Sequence, residues 1–432
     1  MKHKFVLAIL ILLYVIASPT ACLAAGSASA SPDHVTLTWA DNPATTMTVT
    51  WRTDNTTATG SVEYQKYQKS AAFTANAKYA TSHSADFTTD LQATHLFTAT
   101  LKGLEPNTKY LYRVGNQGHW SANHSFTTAN PSSKSFKFLV FGDSQSVADG
   151  NFPYGVWSKT LHNAYSANPD ARFFVNMGDL VDTGQSGAHW NAWFSAAAGV
   201  IDTIPIMPVV GNHETRGSLD TRRPAYWKAQ FYLPQNGPSD LKDQAYSYDY
   251  GPVHFVVLDS QQSEEKQYGD ILTPQKKWLA ADLAASKSPW KIVFLHKSAY
   301  SLMVGRENKD IRNAFCPVYD RYHVDVVFNG HDHSVGRTFP IKNEAYMSKP
   351  SQGTIYYSAG RSGTKYYNQV CKRDWSKFFY NPTDQPDYLV VEVAGAKLTI
   401  TALKTDGAII DEFFIDKKKD INSDTSHSLG KR

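Results

Sequence analysis

The sequence predicts two domains, an N-terminal all-β sandwich followed by a four-layer α/β domain of βαβ units, and three observations carry that reading. At 432 residues the chain is longer than one hydrophobic core usually serves. Residues 33–128 alternate apolar and polar positions in short runs parted by turn residues, the two-residue period of half-buried strands. From 134 to 416 the texture changes to continuous apolar runs alternating with helical stretches, as in a buried sheet crossed by helices.

The chain opens with Lys2 and Lys4, an apolar run at 5–17, and small residues around Cys22, the three-part layout of a cleaved secretory signal over residues 1–25. That run, at roughly 1.5 Å per residue, falls short of the ~30 Å hydrocarbon core, so export to an extracellular or periplasmic space is expected and a transmembrane anchor is not. Lipidation at Cys22 is the minor alternative, because Pro19 stands where lipoprotein signals usually carry leucine. Removing Lys2 and Lys4 takes the formal charge from +4 to +2 and leaves no dense basic stripe outside the tail, which excludes a nucleic-acid-binding surface as such.

In the sandwich, Val35, Leu37 and Trp39 fall on one face of a strand, and Met47, Val49 and Trp51 on one face of the next. Leu104-Glu-Pro-Asn-Thr-Lys-Tyr110, followed by Tyr112 and Val114, resembles the L-x-P-x-T-x-Y segment of fibronectin type III domains. That resemblance implies a tyrosine corner tying a strand to the preceding turn. The segment 130–135, Asn-Pro-Ser-Ser-Lys-Ser, is the polar joint to the second domain. No feature of the sandwich names its partner.

Beyond the joint, strands are expected at 136–141, 173–177, 204–210, 255–258, 292–295 and 324–328. Trp190 and Trp193 fit the apolar face of a helix, and Thr273 as cap with Pro274 in the first turn marks the start of another. Residues 417–432 are polar and mixed in charge, the composition of a disordered tail. With Cys22 removed, Cys316 and Cys371 remain, and an exported, oxidising setting favours a disulfide contributing about 4 kcal/mol if unstrained. The alternative is two buried thiols; neither cysteine has an activating histidine in its motif.

Five short segments follow apolar runs: Phe-Gly-Asp-Ser-Gln (141–145), Gly-Asp-Leu-Val-Asp (178–182), Gly-Asn-His-Glu (211–214), Leu-His (295–296) and Gly-His-Asp-His (330–333). In an open α/β sheet such strand ends share one crevice, so scattered positions converge there. Carboxylate and amide oxygens mixed with imidazoles suit two divalent or trivalent cations, such as iron, zinc or manganese, bridged by a shared carboxylate.

The ordered set resembles the calcineurin-like metallophosphoesterases, and with the preceding sandwich it is most similar to the purple acid phosphatases, over nearly the whole mature chain. Position by position, the resemblance implies that Asp143 holds the first metal, Asp179 bridges both, Asn212, His296 and His331 hold the second, and His333 completes the first. His213 then faces the substrate phosphate together with Asn212. Two positions depart from the family pattern. The second motif of purple acid phosphatases ends in a tyrosine whose phenolate binds ferric iron and gives the colour; Asp182 stands there, which predicts a colourless enzyme. Relatives in the wider superfamily carry a histidine in the first motif where this chain has Gln145.

Gln145 either offers an amide oxygen to the first metal or bonds to the chain nearby. Asp182 either ligates that metal or pairs with His213 and keeps it protonated as a general acid; superfamily members with this aspartate use it the second way. Lys297, Tyr300 and Arg361 lie beside the motifs or at a strand end, where packing or solvation outweighs contact with substrate; His189 and His254 read as structural. The resemblance thus implies a secreted acid-phosphatase-like hydrolase that cleaves phosphomonoesters with metal-activated water. A phosphodiesterase with the same bimetallic centre is the alternative, and a binding or adhesion protein with a vestigial site is the reading from a different class. The loops 261–271 and 345–353 lie where specificity is shaped.

Overall fold

The computed structural model of the protein describes residues 27–69, 72–146, 154–217 and 223–424. The expected signal, Cys22 and the last eight residues of the expected tail lie outside them.

The first domain is the expected sandwich. One sheet orders Asp33–Thr38, Met47–Asp54, Ala93–Leu101 and His83–Thr88; the other orders Lys78–Thr81, Ser61–Lys66 and Lys109–Asn116, the last pairing with both His119–Trp120 and His124–Thr127. Alternation decides what goes inside: Leu37, Val49, Trp51 and Val62 are fully buried, with Trp51 stacked on Phe97 at 5.3 Å. The Tyr110 hydroxyl accepts the Glu105 main-chain N–H at 2.9 Å, which is the tyrosine corner implied by the segment 104–110.

The second domain stacks two sheets between helices α1 (Gly155–Ala167), α2 (Gly187–Ala197) and α3 (Ala225–Gln230) and the pair α4 (Leu272–Ala285) and α5 (Lys309–Tyr322). One sheet orders Phe174–Asn176, Ser135–Phe141, Asp387–Ala394, Lys397–Lys404, Ile409–Asp416 and Ile421–Asp424, and only its first pair is parallel. The other orders Tyr246–Tyr250, Val253–Leu258, Trp290–Leu295, Val326–Asn329, Ile355–Ala359, Val335–Thr338 and Ser376–Tyr380, with a parallel centre. Side chains sort by strand period. Phe255, Phe294 and Phe328 point to the core between the sheets, while Val256, Val293 and Val327 join Leu279, Leu283 and Phe315 of α4 and α5. The two domains share a core, since Trp39 of the sandwich meets Phe173 at 5.4 Å and Leu37 exchanges main-chain bonds with Ile201 and Ile206.

Four expectations are corrected. The run 204–210 follows Phe174–Asn176 in extended form, giving hydrogen bonds from Met207 and Val209, but Pro205 and Pro208 have no N–H and it forms an isolated bridge instead of a strand. Helix α4 begins at Leu272 after Ile271 at the N-cap position, and the preceding Asp270 accepts the Leu272 and Thr273 N–H groups through Oδ1 at 2.9 and 3.1 Å; Thr273 already lies inside. Residues 417–424 are not a loose tail: Lys417 pairs with Asp325 at 2.6 Å and covers the Trp290 ring, and the chain returns as the edge strand Ile421–Asp424. Cys316 and Cys371 are free thiols and form no disulfide. Cys316 is buried on α5, where its sulfur accepts the Tyr356 hydroxyl at 3.1 Å, whereas Cys371 is tied through its main chain to Leu302.

Candidate metal centre

Each motif emerges where its strand stops. Asp143 follows Ser135–Phe141, Asp179 follows Phe174–Asn176, Asn212 follows the extended run 204–210, His296 follows Trp290–Leu295, and His331 and His333 follow Val326–Asn329. Asp179, His331 and His333 all adopt left-handed backbone, with φ of 52°, 70° and 50°. Three such residues in one site mark strain that the surroundings must hold. Gly178 and Gly211 make the close approach possible, because a Cβ at 178 would sit 2.7 Å from His296 Nδ1 and one at 211 would sit 2.1 Å from the Asp179 nitrogen.

Five of the six expected ligands converge in two groups that share one carboxylate, and the sixth, Asn212, stands beside the second group. Asp143, Asp179 and His333 form the first; Asp179, His296 and His331 form the second, with donor atoms inside each group within 4.8 Å of one another. Asp179 Oδ2 lies 3.3 Å from His296 Nε2, and that nitrogen lies 3.1 Å from Asn212 Oδ1 and 3.0 Å from His331 Nδ1. Asp143 Oδ1 lies 3.3 Å from His333 Nε2.

This donor set fits cations. His296 Nδ1 is bonded to the Met177 carbonyl at 2.8 Å and His333 Nδ1 to the Lys365 carbonyl at 2.7 Å; each carbonyl fixes the proton on Nδ1 and leaves the Nε2 lone pair for the site. His333 Nε2 is buried yet has no hydrogen-bond partner, which suits a metal-ligand atom. Burial opposes a proton on His296, but the Asp179 and Asp143 carboxylates raise it to about 9, while burial and the neighbouring His296 hold His331 well below the usual imidazole value.

A residue of the third motif that was given no role braces the site. Glu214 is buried, and its carboxylate accepts the N–H groups of Asp179, Leu180 and Gly211 at 2.9, 2.8 and 2.7 Å. Burial and the Asp179 charge push Glu214 up to about 7.

Asp182 stands beside His213. His213 Nδ1 is 2.6 Å from the Asp182 carbonyl and 3.2 Å from its carboxylate, and the hydrogen bond to His213 holds the Asp182 carboxyl below its ordinary range. His213 Nε2 then faces Asp179 Oδ2 at 3.8 Å. Arg216 and Lys365, which no motif contains, bring cations to this histidine: Arg216 approaches Nδ1 at 3.0 Å and Lys365 Nζ approaches Nε2 at 3.1 Å. The Gln145 amide lies against Asp179. Both its ends are satisfied when the nitrogen donates to the Asp179 carbonyl at 3.1 Å and the oxygen faces His213 Nε2 and Lys365 Nζ at 3.2 and 3.3 Å.

The neighbours read as packing pack. Lys297 pairs with Glu264 at 2.6 Å, Arg361 donates to the Pro382 and Gly363 carbonyls, and Tyr300 lies buried under Arg312. Trp190 and Trp193 are buried on α2, His189 meets the Tyr154 hydroxyl at 3.1 Å, and His254 is clasped by Asp249 and Asp282.

Two family models match in tandem: the purple acid phosphatase N-terminal domain over residues 32–128 and the calcineurin-like phosphoesterase over residues 136–335. The chain is 30% identical to Purple acid phosphatase 21 of Arabidopsis thaliana, across 77% of this chain and 71% of that one. It is 26% identical to acid phosphatase type 7 of Mus musculus, across 77% and 78%. In fold it is similar to a purple acid phosphatase isolated from yellow lupin (Lupinus luteus) seeds, with a TM-score of 0.76, 21% identity, and coverage of 89% of this chain and 74% of that one.

Proposed function

From the membership of this chain in the purple acid phosphatase family, which makes it a metal-dependent phosphoric ester hydrolase, we propose that it is an exported phosphatase acting on phosphomonoesters at a dinuclear centre. One observation carries the reading: two ligand groups share Asp179, and a histidine that belongs to neither, His213, turns its Nε2 toward that shared carboxylate at 3.8 Å. Asp143, Asp179 and His333 would hold one cation, and Asp179, Asn212, His296 and His331 the other. Bound there, two cations would supply Lewis acidity and charge neutralisation for the attack of water on phosphorus.

The side chains do the rest. The Asp182 carbonyl and carboxylate accept the Nδ1 proton of His213 and orient the ring, so that in the doubly protonated form the opposite nitrogen donates to the phosphoryl group or gives its proton to the leaving oxygen. Burial of Asp143, Asp179, His296 and His333 keeps bulk water from screening these charges. Gln145 fits better as a bridge between Asp179 and His213 than as a ligand, since its oxygen is engaged by two donors. Among the described residues no helix is long and apolar enough to cross a membrane, which is compatible with export.

The deciding assay compares p-nitrophenyl phosphate with bis(p-nitrophenyl) phosphate on purified protein whose metal content is measured in the same sample. Faster monoester turnover with about two metals per chain is expected. A diester preference transfers the same centre to the phosphodiesterase alternative, and a folded protein that takes up no metal overturns the enzyme reading.

A further inference from the structure

We propose that Lys365 is a specificity-determining residue: its ammonium and His213 Nε2 together bind a non-bridging oxygen of the substrate, and so favour the doubly charged phosphate of a monoester over a singly charged diester. The inference rests on the phosphatase reading above and extends it to the charge of the substrate.

The first support is the imbalance of donors. Lys365 Nζ and His213 Nε2 lie 3.1 Å apart, and the Gln145 amide oxygen is the acceptor between them. An ammonium carries three N–H groups, and Lys365 pairs with no carboxylate among the described residues; its other contact is the Tyr367 ring at 5.5 Å. The Asp182 carboxylate is turned to the far nitrogen of the imidazole. Donors that converge with so few acceptors fit an anion with several oxygens, as a terminal phosphate is.

The second support is preorganisation. The Lys365 carbonyl accepts His333 Nδ1 at 2.7 Å, so one residue both orients a candidate ligand and projects a cation at the substrate side. Its loop is stitched to the first motif: Ser362 and Gly363 donate to the Asp143 carbonyl at 3.1 and 3.0 Å, and Thr364 donates to the Gln145 carbonyl at 3.3 Å. Tyr367 closes the loop by packing on the His333 ring at 4.5 Å. A lysine held this way loses less freedom when it binds than one on an open surface. In a diester an ester group replaces one of the terminal oxygens, which removes an acceptor and one negative charge from this corner.

The test uses the metal-loaded full-length mature protein and two variants, Lys365→Met and Lys365→Arg, with metal content and melting temperature recorded for each. Binding of inorganic phosphate is measured by calorimetry, and kcat and KM are measured for p-nitrophenyl phosphate and bis(p-nitrophenyl) phosphate. Lys365→Met is expected to weaken phosphate binding and raise the monoester KM by about tenfold, the scale of one charge-assisted hydrogen bond, with kcat/KM for the diester changed less than about twofold. Lys365→Arg is expected to recover much of the loss. Unchanged phosphate affinity and monoester KM overturn the proposal, as does an equal loss on both esters. Should Lys365→Met lose metal, Lys365→Gln is subjected to the same comparison. A wild type that hydrolyses neither ester overturns the phosphatase reading alone, because phosphate calorimetry on wild type and variant still decides the role of Lys365.

Discussion

Glu214 holds Asp179 by its main chain: Oε2 accepts the Asp179 N–H at 2.9 Å, while Oε1 accepts the next N–H, that of Leu180, at 2.8 Å. The shared carboxylate of the centre sits on left-handed backbone, and a side chain 35 residues further along secures it. Glu214→Ala leaves those buried N–H groups without acceptors and is expected to cost about 3 kcal/mol, the usual penalty for breaking a buried network. It is also expected to weaken metal binding about tenfold, although Glu214 is in neither ligand group. Denaturant unfolding of the metal-free protein and a metal titration check this; unchanged values in both would mean that Asp179 holds its conformation unaided.

His254 makes stability depend on pH. Burial opposes its charge, but hydrogen bonds to Asp249 at 2.8 Å and Asp282 at 2.7 Å raise it to about 9. An unfolded histidine titrates near 6.5, so the folded state binds this proton more tightly. Its stabilisation is complete below about pH 6.5 and is lost as pH rises through about 9. Asp249 is 69% exposed, and screening trims the contribution to about 2 kcal/mol. His254→Gln is expected to remove that amount in urea unfolding at pH 6 and almost nothing at pH 9.5. An equal loss at both values would mean that packing, and not charge, holds His254.

The centre was legible in the sequence because its ligands follow apolar runs whose strand ends must meet in one crevice, as Asp143, His296 and His331 do. What stayed hidden depends on contacts between distant parts of the chain. Glu214 stands in a recognised motif, yet its role appears only when it reaches back to Asp179 and Leu180. Lys365 lies past the strand Ile355–Ala359 in a stretch without a motif, and only folding brings it to His213. Cys316 and Cys371 matched an oxidising compartment by number, but pairing requires their Cα atoms to approach, and sequence separation says nothing of that. Ile421–Asp424 has a single large apolar residue, so composition reads as tail; main-chain bonds to Ile409–Asp416 make it a strand.

His213→Ala is expected to lower kcat by about 10²-fold with metal content unchanged, the scale of losing one positioned acid or phosphate ligand. Asp182→Asn keeps the carbonyl at 2.6 Å but replaces the carboxylate at 3.2 Å, and a smaller loss, about tenfold, is expected. Metal analysis of the same samples separates the roles. Metal lost from His213→Ala would move that residue among the ligands, and metal lost from Asp182→Asn would make Asp182 the substitute for the family's tyrosine.

The position of Asp182 carries an optical consequence. Purple acid phosphatases owe their colour to a tyrosinate bound to ferric iron, the tyrosine that ends their second motif. Here a carboxylate occupies that place, 3.2 Å from His213 Nδ1, and carboxylate bound to ferric iron has no comparable visible charge-transfer band. The nearby Tyr367 is engaged through its ring, which packs on His333 at 4.5 Å and lies under both Lys365 and Arg306. The protein loaded with ferric iron and zinc is therefore expected to be colourless in the purple region while retaining both metals. Visible absorption of a sample with measured iron content checks this. A strong band in that region would show that another tyrosine reaches the first metal, and Tyr367→Phe would then be the variant that removes it.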